Sequence, residues 1–194
     1  MQRLLRILTL TAITFGFVAG TASAEQERYV FDKAHTQILF FVSHLGFSMM
    51  QGEFHDYDGE FIFDREDPSR SSVDVSIATA SVDTDHDGLN EHLRTADFFD
   101  SETHPTMSFK STSIERTGDD TGRITGDFTM LGVTRPVTLD VTFNKADVHP
   151  INKNYIAGFS GSTTIKRSDY GMTYSVPAVG DEVEVRLEVE GIRQ

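Results

Sequence analysis

Two stretches near the C-terminus alternate apolar and polar residues almost without interruption. They are residues 137–143, VTLDVTF, and residues 183–189, VEVRLEV. Because successive side chains of a strand point to opposite faces, each stretch predicts a strand with one apolar and one polar face. The same alternation recurs, less regularly, along most of the chain. A sheet built from such strands must cover one face, and closing it into a barrel does so without leaving edges.

The turn residues divide the chain into a series of long strands. The predicted strands are Tyr29–Phe31, Gln37–His44, Gly52–Phe63 with a turn near Asp58-Gly59, Ser72–Val82, Thr106–Glu115, Arg123–Met130, Arg135–Phe143, Ile156–Ile165 and Glu182–Gly191. Short turns between long strands favour an antiparallel meander over parallel βαβ units. We therefore predict an all-β fold: an extended antiparallel β-barrel of about eight strands, with residues 144–154 as a long loop.

One short helix is predicted near residues 88–99. Leu89, His92, Leu93 and Ala96 have the i, i+3, i+4, i+7 spacing of an apolar helical face. Either of two aspartates, Asp85 or Asp87, is a suitable N-cap. Two phenylalanines, Phe98 and Phe99, follow the face. The helix therefore either plugs one end of the barrel or covers an edge of the core, and the sequence favours neither.

The N-terminus has the three parts of a secretory signal peptide. Arg3 and Arg6 precede an apolar run at 4–18, and Ala22-Ser23-Ala24 is a small-x-small cleavage site. We predict that residues 1–24 are removed and that residues 25–194 form a single domain. The chain has no cysteine, so neither a lipid-modified cysteine nor a disulfide is available.

The formal charge of −13 restricts the partners. Nucleic acid is disfavoured because its affinity for proteins comes largely from cations that neutralise phosphates. Anionic lipid surfaces are disfavoured for the same reason. Beyond the signal peptide no segment is long and apolar enough to span a bilayer, so we expect no stable membrane insertion.

No catalytic or metal-binding motif is complete. Residues 83–88, DTDHDG, have the first ligand positions of a calcium loop, but Arg94 stands where that loop requires a bidentate glutamate. HExxH is absent, and residues 158–162, GFSGS, lack the final glycine of a nucleophile elbow. We therefore predict no catalytic residue, no metal site, no cofactor and no enzymatic activity. From the alternation alone, a packed core is slightly favoured over a ligand cavity.

Several sequence blocks together resemble the YceI-like family of exported lipid-binding proteins. The blocks are 31–36 (FDKAHT), 44–48 (HLGFS), 52–54 (GEF), 61–64 (FIFD), 81–84 (SVDT), 92–100 (HLRTADFFD), 104–105 (HP), 125–137 (TGDFTMLGVTRPV) and 166–172 (KRSDYGM). Their order and spacing cover almost the whole chain after the signal peptide. One departure is His104-Pro105, where the family usually has Tyr-Pro, and we expect little effect from it.

The resemblance implies a lipocalin-like barrel with a long apolar tunnel that holds a polyisoprenoid or other lipid chain in the bacterial periplasm. It reverses the preference for a packed core. The predicted tunnel-lining residues are Ile38, Phe40, Val42, Phe54, Phe61, Phe63, Val75, Ile77, Leu93, Phe98, Met107, Phe109, Phe128 and Met130.

The function expected from this resemblance is carriage, storage or stress protection of an isoprenoid lipid, with the lipid as the main partner and a homodimer left open. The negative charge disfavours a pyrophosphate head group unless local cations offset it, and the candidates are Arg94, Lys166 and Arg167. We therefore expect a neutral head, such as a quinone or its precursor. The alternatives are a structural or stress-response protein with a filled core and a hydrolase of envelope lipids.

Overall fold

The computed structural model describes residues 26–194, so the predicted signal peptide lies outside the described residues. Eleven strands and one α-helix follow one another along this part of the chain. The strands are β1 (Glu27–Phe31), β2 (Gln37–His44), β3 (Ser48–Phe54), β4 (Tyr57–Phe63), β5 (Ser72–Ala78), β6 (Val82–Asp83), β7 (Thr106–Arg116), β8 (Thr121–Met130), β9 (Val133–Val148), β10 (Tyr155–Lys166) and β11 (Val179–Arg193). The helix, α1, spans Asp87–Leu93, between β6 and β7.

Eight of these strands close into an antiparallel ring. Its order is β1-β4-β5-β7-β8-β9-β10-β11, and pairing between β11 and β1 completes the circle. The strand β2 continues the wall from β1 along β11, and β3 and β6 extend it further. The predicted eight-stranded antiparallel barrel with one helix is therefore confirmed.

The alternation of the sequence becomes the inside and outside of this barrel. On β9, Leu139 is buried, whereas its neighbours Thr138 and Asp140 are exposed. On β11, Arg186 and Glu188 are exposed on either side of the half-buried Leu187. The apolar face thus points to the lumen and the polar face to solvent.

The strand directions place the connections at two ends. The β2–β3 and β8–β9 hairpins and α1 lie at one end, and the β4–β5, β7–β8 and β9–β10 loops lie at the other. None of the helices within residues 26–194 has the length and apolar character needed to cross a bilayer.

The turn predicted near Asp58-Gly59 is wrong. The chain turns at residues 55–56, and Gly59 lies inside β4. This glycine serves packing, because a Cβ atom at Gly59 would lie 2.5 Å from Cε2 of Phe31. The ring of Phe31 covers the strand at this point, so only glycine fits.

The predicted loop at residues 144–154 begins too early. Residues 144–148 belong to β9, and residues 145–148 pair with β10 on the far side of a bulge between Gly158 and Phe159. A bulge shifts the alternation by one residue, which hides such an extension from a period-two pattern.

The helix ends at Leu93, earlier than predicted, because the Thr95 hydroxyl donates to the His92 carbonyl and the chain turns there. Neither Asp85 nor Asp87 is the N-cap: Nδ1 of His86 accepts from the Leu89 N–H.

The junction between β1 and β2 is held against β11. The Asp32 N–H donates to the Glu190 carbonyl at 2.7 Å, and the Thr36 hydroxyl contacts the Glu190 backbone through both its carbonyl and its N–H. Nδ1 of His35 lies 2.9 Å from Oδ2 of Asp32. This hydrogen bond raises the pKa of His35. Burial disfavours the ionised Asp32, but the hydrogen bonds from His35 and the Ala34 N–H outweigh it and lower the Asp32 pKa.

We predict that His35 titrates above its ordinary pKa of about 6.5, and that Asp32→Asn lowers its pKa. The stabilisation by protonated His35 is complete below the unfolded-state pKa and disappears as the pH rises through the raised folded-state value. The measurement is an NMR titration of the imidazole Cε1 proton. A midpoint at or below about 6.5 in the unsubstituted protein would contradict the ion pair.

An aromatic stack next to a glycine fixes β1, β4 and β11 together. The rings of Tyr29 and Phe61 are stacked with centroids 4.8 Å apart. A Cβ atom at Gly191 would overlap the Phe61 ring and lie 2.9 Å from Cβ of Tyr29. The stack therefore depends on the missing side chain at Gly191.

We predict that Gly191→Ala lowers the free energy of unfolding by roughly 1–3 kcal/mol, since the added methyl group overpacks the core. The control is Gly158→Ala on the adjacent strand, where the nearest atoms to an added Cβ lie 3.9 Å away. This control should be neutral or stabilising by up to about 1 kcal/mol. Chemical denaturation measures both, and equal losses would refute the packing argument.

Candidate ligand-binding site

The lumen of the barrel contains a cavity of about 730 Å³. This volume lies in the range of small-molecule and cofactor sites, roughly 300–1,000 Å³. Its wall is built from the inward faces of the strands and is mainly aliphatic and aromatic. The fold therefore encloses an apolar cavity.

All fourteen residues predicted to line a tunnel lie in the wall of this cavity. They are Ile38, Phe40, Val42, Phe54, Phe61, Phe63, Val75, Ile77, Leu93, Phe98, Met107, Phe109, Phe128 and Met130. Their contact with a lipid stays a prediction.

The predicted lining residues include none from β9, β10 or β11, although the apolar faces of the stretches at 137–143 and 183–189 are predicted to form part of the wall. The missed residues there are Val137, Leu139, Val141, Phe143, Phe159, Gly161, Thr163, Ile165, Val183, Val185, Leu187 and Val189. The alternation at 137–143 and 183–189 was a sufficient signal for the residues on β9 and β11.

Partial exposure of inward-facing side chains distinguishes a cavity from a packed core. Phe40, Phe63, Val75 and Phe128 all face the lumen, yet each is only partly buried. In a filled barrel these side chains would be fully covered by their neighbours.

One end of the cavity is closed by the segment that begins with α1. Leu93 at the end of the helix, followed by Phe98 and Phe99, is buried and lines the cavity. The ring of Phe99 lies 5.4 Å from that of Phe54 and 6.4 Å from that of Phe40, in edge-to-face contacts. The plug interpretation of the helix is therefore favoured over an edge patch. We call this the closed end.

A buried arginine at the closed end donates its hydrogen bonds to backbone carbonyls. The guanidinium of Arg167 donates to the carbonyls of Met172, Tyr174, Val179 and Gly180 at 2.8–3.1 Å. Burial lowers the pKa of Arg167, although nearby Asp181 opposes this. Its hydrogen bonds hold together the chain that returns from β10 to β11.

The prediction that these three cations offset a charged head group is therefore wrong. Arg167 lines the cavity, but its N–H groups are used by carbonyls. Arg94 donates to the carbonyls of Ala80 and Val82. Lys166 is exposed and is not in the cavity wall.

The opposite end of the cavity is lined by exposed, charged residues of the β4–β5 loop, of the last two positions of β7 and of the β7–β8 loop. They are Arg65, Glu66, Glu115, Arg116, Asp119 and Asp120. Exposed side chains in the cavity wall indicate that solvent reaches the cavity here. We call this the open end.

The acids outnumber the cations at the open end, and both arginines have partners. Arg116 donates to the carbonyls of Gly118 and Asp119, which folds it back onto its own hairpin. The guanidinium carbon of Arg65 lies 5.1 Å from the centroid of the Phe143 ring. The local charge is therefore negative around the opening.

Aromatic packing confines the opening to one side. Phe159 makes edge-to-face contacts with Phe61 at 5.5 Å and Phe63 at 5.1 Å. Phe143 packs against Phe63 and Phe159. These four rings come from β4, β9 and β10 and fill the lumen beside those strands. The exposed charged residues that line the opening lie in the β4–β5 loop, at the end of β7 and in the β7–β8 loop.

The residues that carried possible catalytic or metal chemistry have structural partners. Oδ1 of Asp83 accepts from the Asn90 amide and from the Asp85 N–H, so the calcium-like stretch caps its own loop. The Ser160 hydroxyl donates to Glu188.

Within residues 26–194 one group of metal-ligand atoms lies within 4.8 Å of one another, on Asp32, His35 and Glu190. Two of its three members, Asp32 and His35, already form the hydrogen bond at the β1–β2 junction.

Comparison with known proteins shows the same family along almost the whole chain. Residues 29–191 match the YceI-like domain. A UPF0312 protein of Ectopseudomonas mendocina is 41% identical over 187 residues, which cover 95% of this chain and 97% of that protein. A UPF0312 protein of Pectobacterium atrosepticum is 40% identical over 188 residues, 97% of both chains.

Solved structures share the fold. The Campylobacter jejuni YceI protein is 25% identical with a TM-score of 0.72 and covers 95% of this chain and 99% of its own. Burkholderia cenocepacia BcnA is 24% identical with a TM-score of 0.76, covering 82% and 98%. A polyisoprenoid binding domain from Saccharophagus degradans is 13% identical with a TM-score of 0.67, covering 88% and 100%. With its sequence match, its relatives and its barrel in agreement, the chain belongs to the YceI-like family.

Proposed function

We propose that this protein binds a long-chain isoprenoid or similar lipid in its barrel and carries, stores or scavenges it in the periplasm. The observation that carries the proposal is the apolar cavity of about 730 Å³, closed at one end and open at the other. An elongated apolar molecule enters such a space tail first and leaves its polar head at the opening. Binding, rather than catalysis, is the role that this wall of hydrocarbon side chains supports.

The energetics favour a long apolar chain. Each buried CH₂ contributes about 0.8 kcal/mol, so an isoprene unit contributes roughly 3 kcal/mol. Several units therefore outweigh the translational and conformational cost of association. A tunnel covers such a chain on all sides, which a surface groove does not.

Two further observations support the assignment. A protein with the same fold is described as a polyisoprenoid binding domain, although its 13% identity gives no guide to individual contacts. The sequence pattern of residues 1–24 supports export, and with it a periplasmic location.

A neutral head group fits the open end better than a phosphate. The carboxylates of Glu66, Glu115, Asp119 and Asp120 surround the opening. The two arginines there are engaged by an aromatic ring and by backbone carbonyls. A phosphate placed among these carboxylates would be repelled, whereas a quinone or phenol carries no charge. A quinone or its precursor is therefore the proposed head.

The alternatives make different predictions. A structural or stress-response protein with a filled core retains no lipid and is insensitive to changes in the cavity wall. A hydrolase of envelope lipids releases a product from its bound substrate.

We predict that the natively purified protein contains a neutral isoprenoid lipid. Solvent extraction followed by mass spectrometry identifies the tail and the head in one measurement. Mainly polyprenyl phosphates would contradict the neutral head but keep the lipid. No lipid at all, after gentle purification and native mass spectrometry, would favour the filled-core alternative.

We also predict that Val141→Phe reduces the amount of retained lipid or shifts it to a shorter chain. Val141 lines the cavity and pairs with Gly122 on one side and Gly161 on the other, so a larger ring at this position extends into free space. The measurement is the lipid content per protein, with circular dichroism to check the fold.

The matched control is Thr142→Phe, at the next position on β9. Thr142 is exposed and faces away from the cavity. This variant should retain the same lipid in the same amount. Equal losses in both variants would indicate a general effect on the strand and not a narrowed cavity.

A further inference from the structure

Three side chains with metal-ligating atoms meet on the outer surface of the barrel, at the junction between β1 and β2. They are Asp32, His35 and Glu190, whose ligand atoms all lie within 4.8 Å of one another. Nδ1 of His35 lies 2.9 Å from Oδ2 of Asp32 and 4.0 Å from Oε2 of Glu190. We call these three residues the junction cluster. Because it places an imidazole between two carboxylates, it is a mixed set of metal ligands.

The topology of the barrel brings the junction cluster together. The strand β11 pairs with β2 between residues 179 and 188 and with β1 at residues 191–193. Glu190 therefore lies where the neighbour of β11 changes from β2 to β1, beside the connection that carries Asp32 and His35. Its side chain points outward, because the adjacent Val189 lines the cavity.

Backbone hydrogen bonds hold the two sides of the junction cluster in register. The Asp32 N–H donates to the Glu190 carbonyl at 2.7 Å. The Thr36 hydroxyl donates to the same carbonyl and accepts from the Glu190 N–H, both at 3.2 Å. The His35 N–H donates to the Asp32 carbonyl at 3.1 Å. Binding an ion then requires only side-chain rotations, which keeps the ordering cost of binding small.

A further hydrogen bond orients the Asp32 carboxylate. Its Oδ1 accepts from the Ala34 N–H at 3.0 Å, which leaves Oδ2 directed at His35. Outer partners of this kind fix the orientation of a metal ligand. The Asp32 side chain is 15% exposed, whereas those of Glu190 and His35 are 41% and 59% exposed. The cluster thus combines one firmly held ligand with two that an ion reaches from solvent.

The spacing of the ligand atoms suits a small tetrahedral ion. At metal–ligand distances of about 2.0–2.1 Å, two ligand atoms of a tetrahedral zinc ion lie roughly 3.3 Å apart. The distances of 2.9 Å and 4.0 Å from Nδ1 of His35 lie on either side of this value. Small rotations of the Glu190 and His35 side chains bring the three atoms around one ion, with a fourth position open to water. Imidazole is a ligand of zinc, whereas Ca²⁺ and Mg²⁺ take oxygen ligands.

We propose that the junction cluster binds a Zn²⁺ ion through Oδ2 of Asp32, Nδ1 of His35 and Oε2 of Glu190. The ion replaces the proton between His35 and Asp32, and the two carboxylates balance its charge. It links the β1–β2 junction to β11 and so reinforces the place where the ring of strands closes. The three side chains lie outside the cavity wall, so the inference does not depend on which lipid the cavity holds.

The alternative is unspecific attraction of cations by an acidic surface. Thirty acids and a formal charge of −13 attract any divalent cation. Such attraction does not distinguish Zn²⁺ from Mg²⁺, and salt screens it. The junction cluster differs because it supplies a nitrogen ligand and a fixed backbone geometry.

The test is isothermal titration calorimetry of ZnCl₂ into the chelator-treated mature protein, at physiological ionic strength and with excess Mg²⁺ present. We expect one zinc ion per chain. Zinc should also raise the melting temperature, because it binds the folded state. Glu190→Gln keeps the backbone groups that hold the junction, and it should weaken zinc binding by roughly tenfold or more. His35→Gln should do the same.

The matched control is Glu188→Gln, two residues earlier on the same face of β11. Glu188 is exposed and accepts a hydrogen bond from the Ser160 hydroxyl. This variant should bind zinc as the unsubstituted protein does. The proposal is overturned by a protein that binds no zinc, by binding that persists in His35→Gln, or by equal losses in Glu190→Gln and Glu188→Gln. Displacement of zinc by Mg²⁺ would overturn it in favour of the acidic surface.

Discussion

The cavity exists because the side chains around Gly161 on β9, β10 and β11 are too small to fill the lumen. Eight strands enclose an interior that large side chains just occupy. Phenylalanines project into the lumen from β2, β4 and β7, and also from β9 and β10 at Phe143 and Phe159 near the open end. The next lumen-facing positions on β9 and β10 are small, at Val141, Gly161 and Thr163. Gly161 presents no side chain, and its neighbours in the register are Val141 and Leu187. The lumen therefore stays open where these strands meet, and the phenylalanines form a wall instead of a core.

The two ends of this lumen differ in kind. At the closed end, Leu93, Phe98 and Phe99 complete the apolar wall, and the guanidinium of Arg167 donates hydrogen bonds to four carbonyl oxygens. At the open end, two loops supply carboxylates that remain in water. The proposed ligand, an apolar chain with one uncharged polar end, fits these two environments, whereas a ligand that is charged along its length fits neither the wall nor the plug.

Much of this arrangement could be predicted from the sequence, because alternation and barrel closure both depend on local rules. The alternation of apolar and polar residues predicts that Phe40 and Phe109 face the inside of the barrel. The resemblance to a family then favours a cavity wall over a packed core. The predictions are wrong where contacts between residues distant in sequence determine the structure. Gly59 resembles a turn residue but lies under the ring of Phe31. Arg94 and Arg167 resemble free cations, but their partners are backbone carbonyls, which a sequence does not mark.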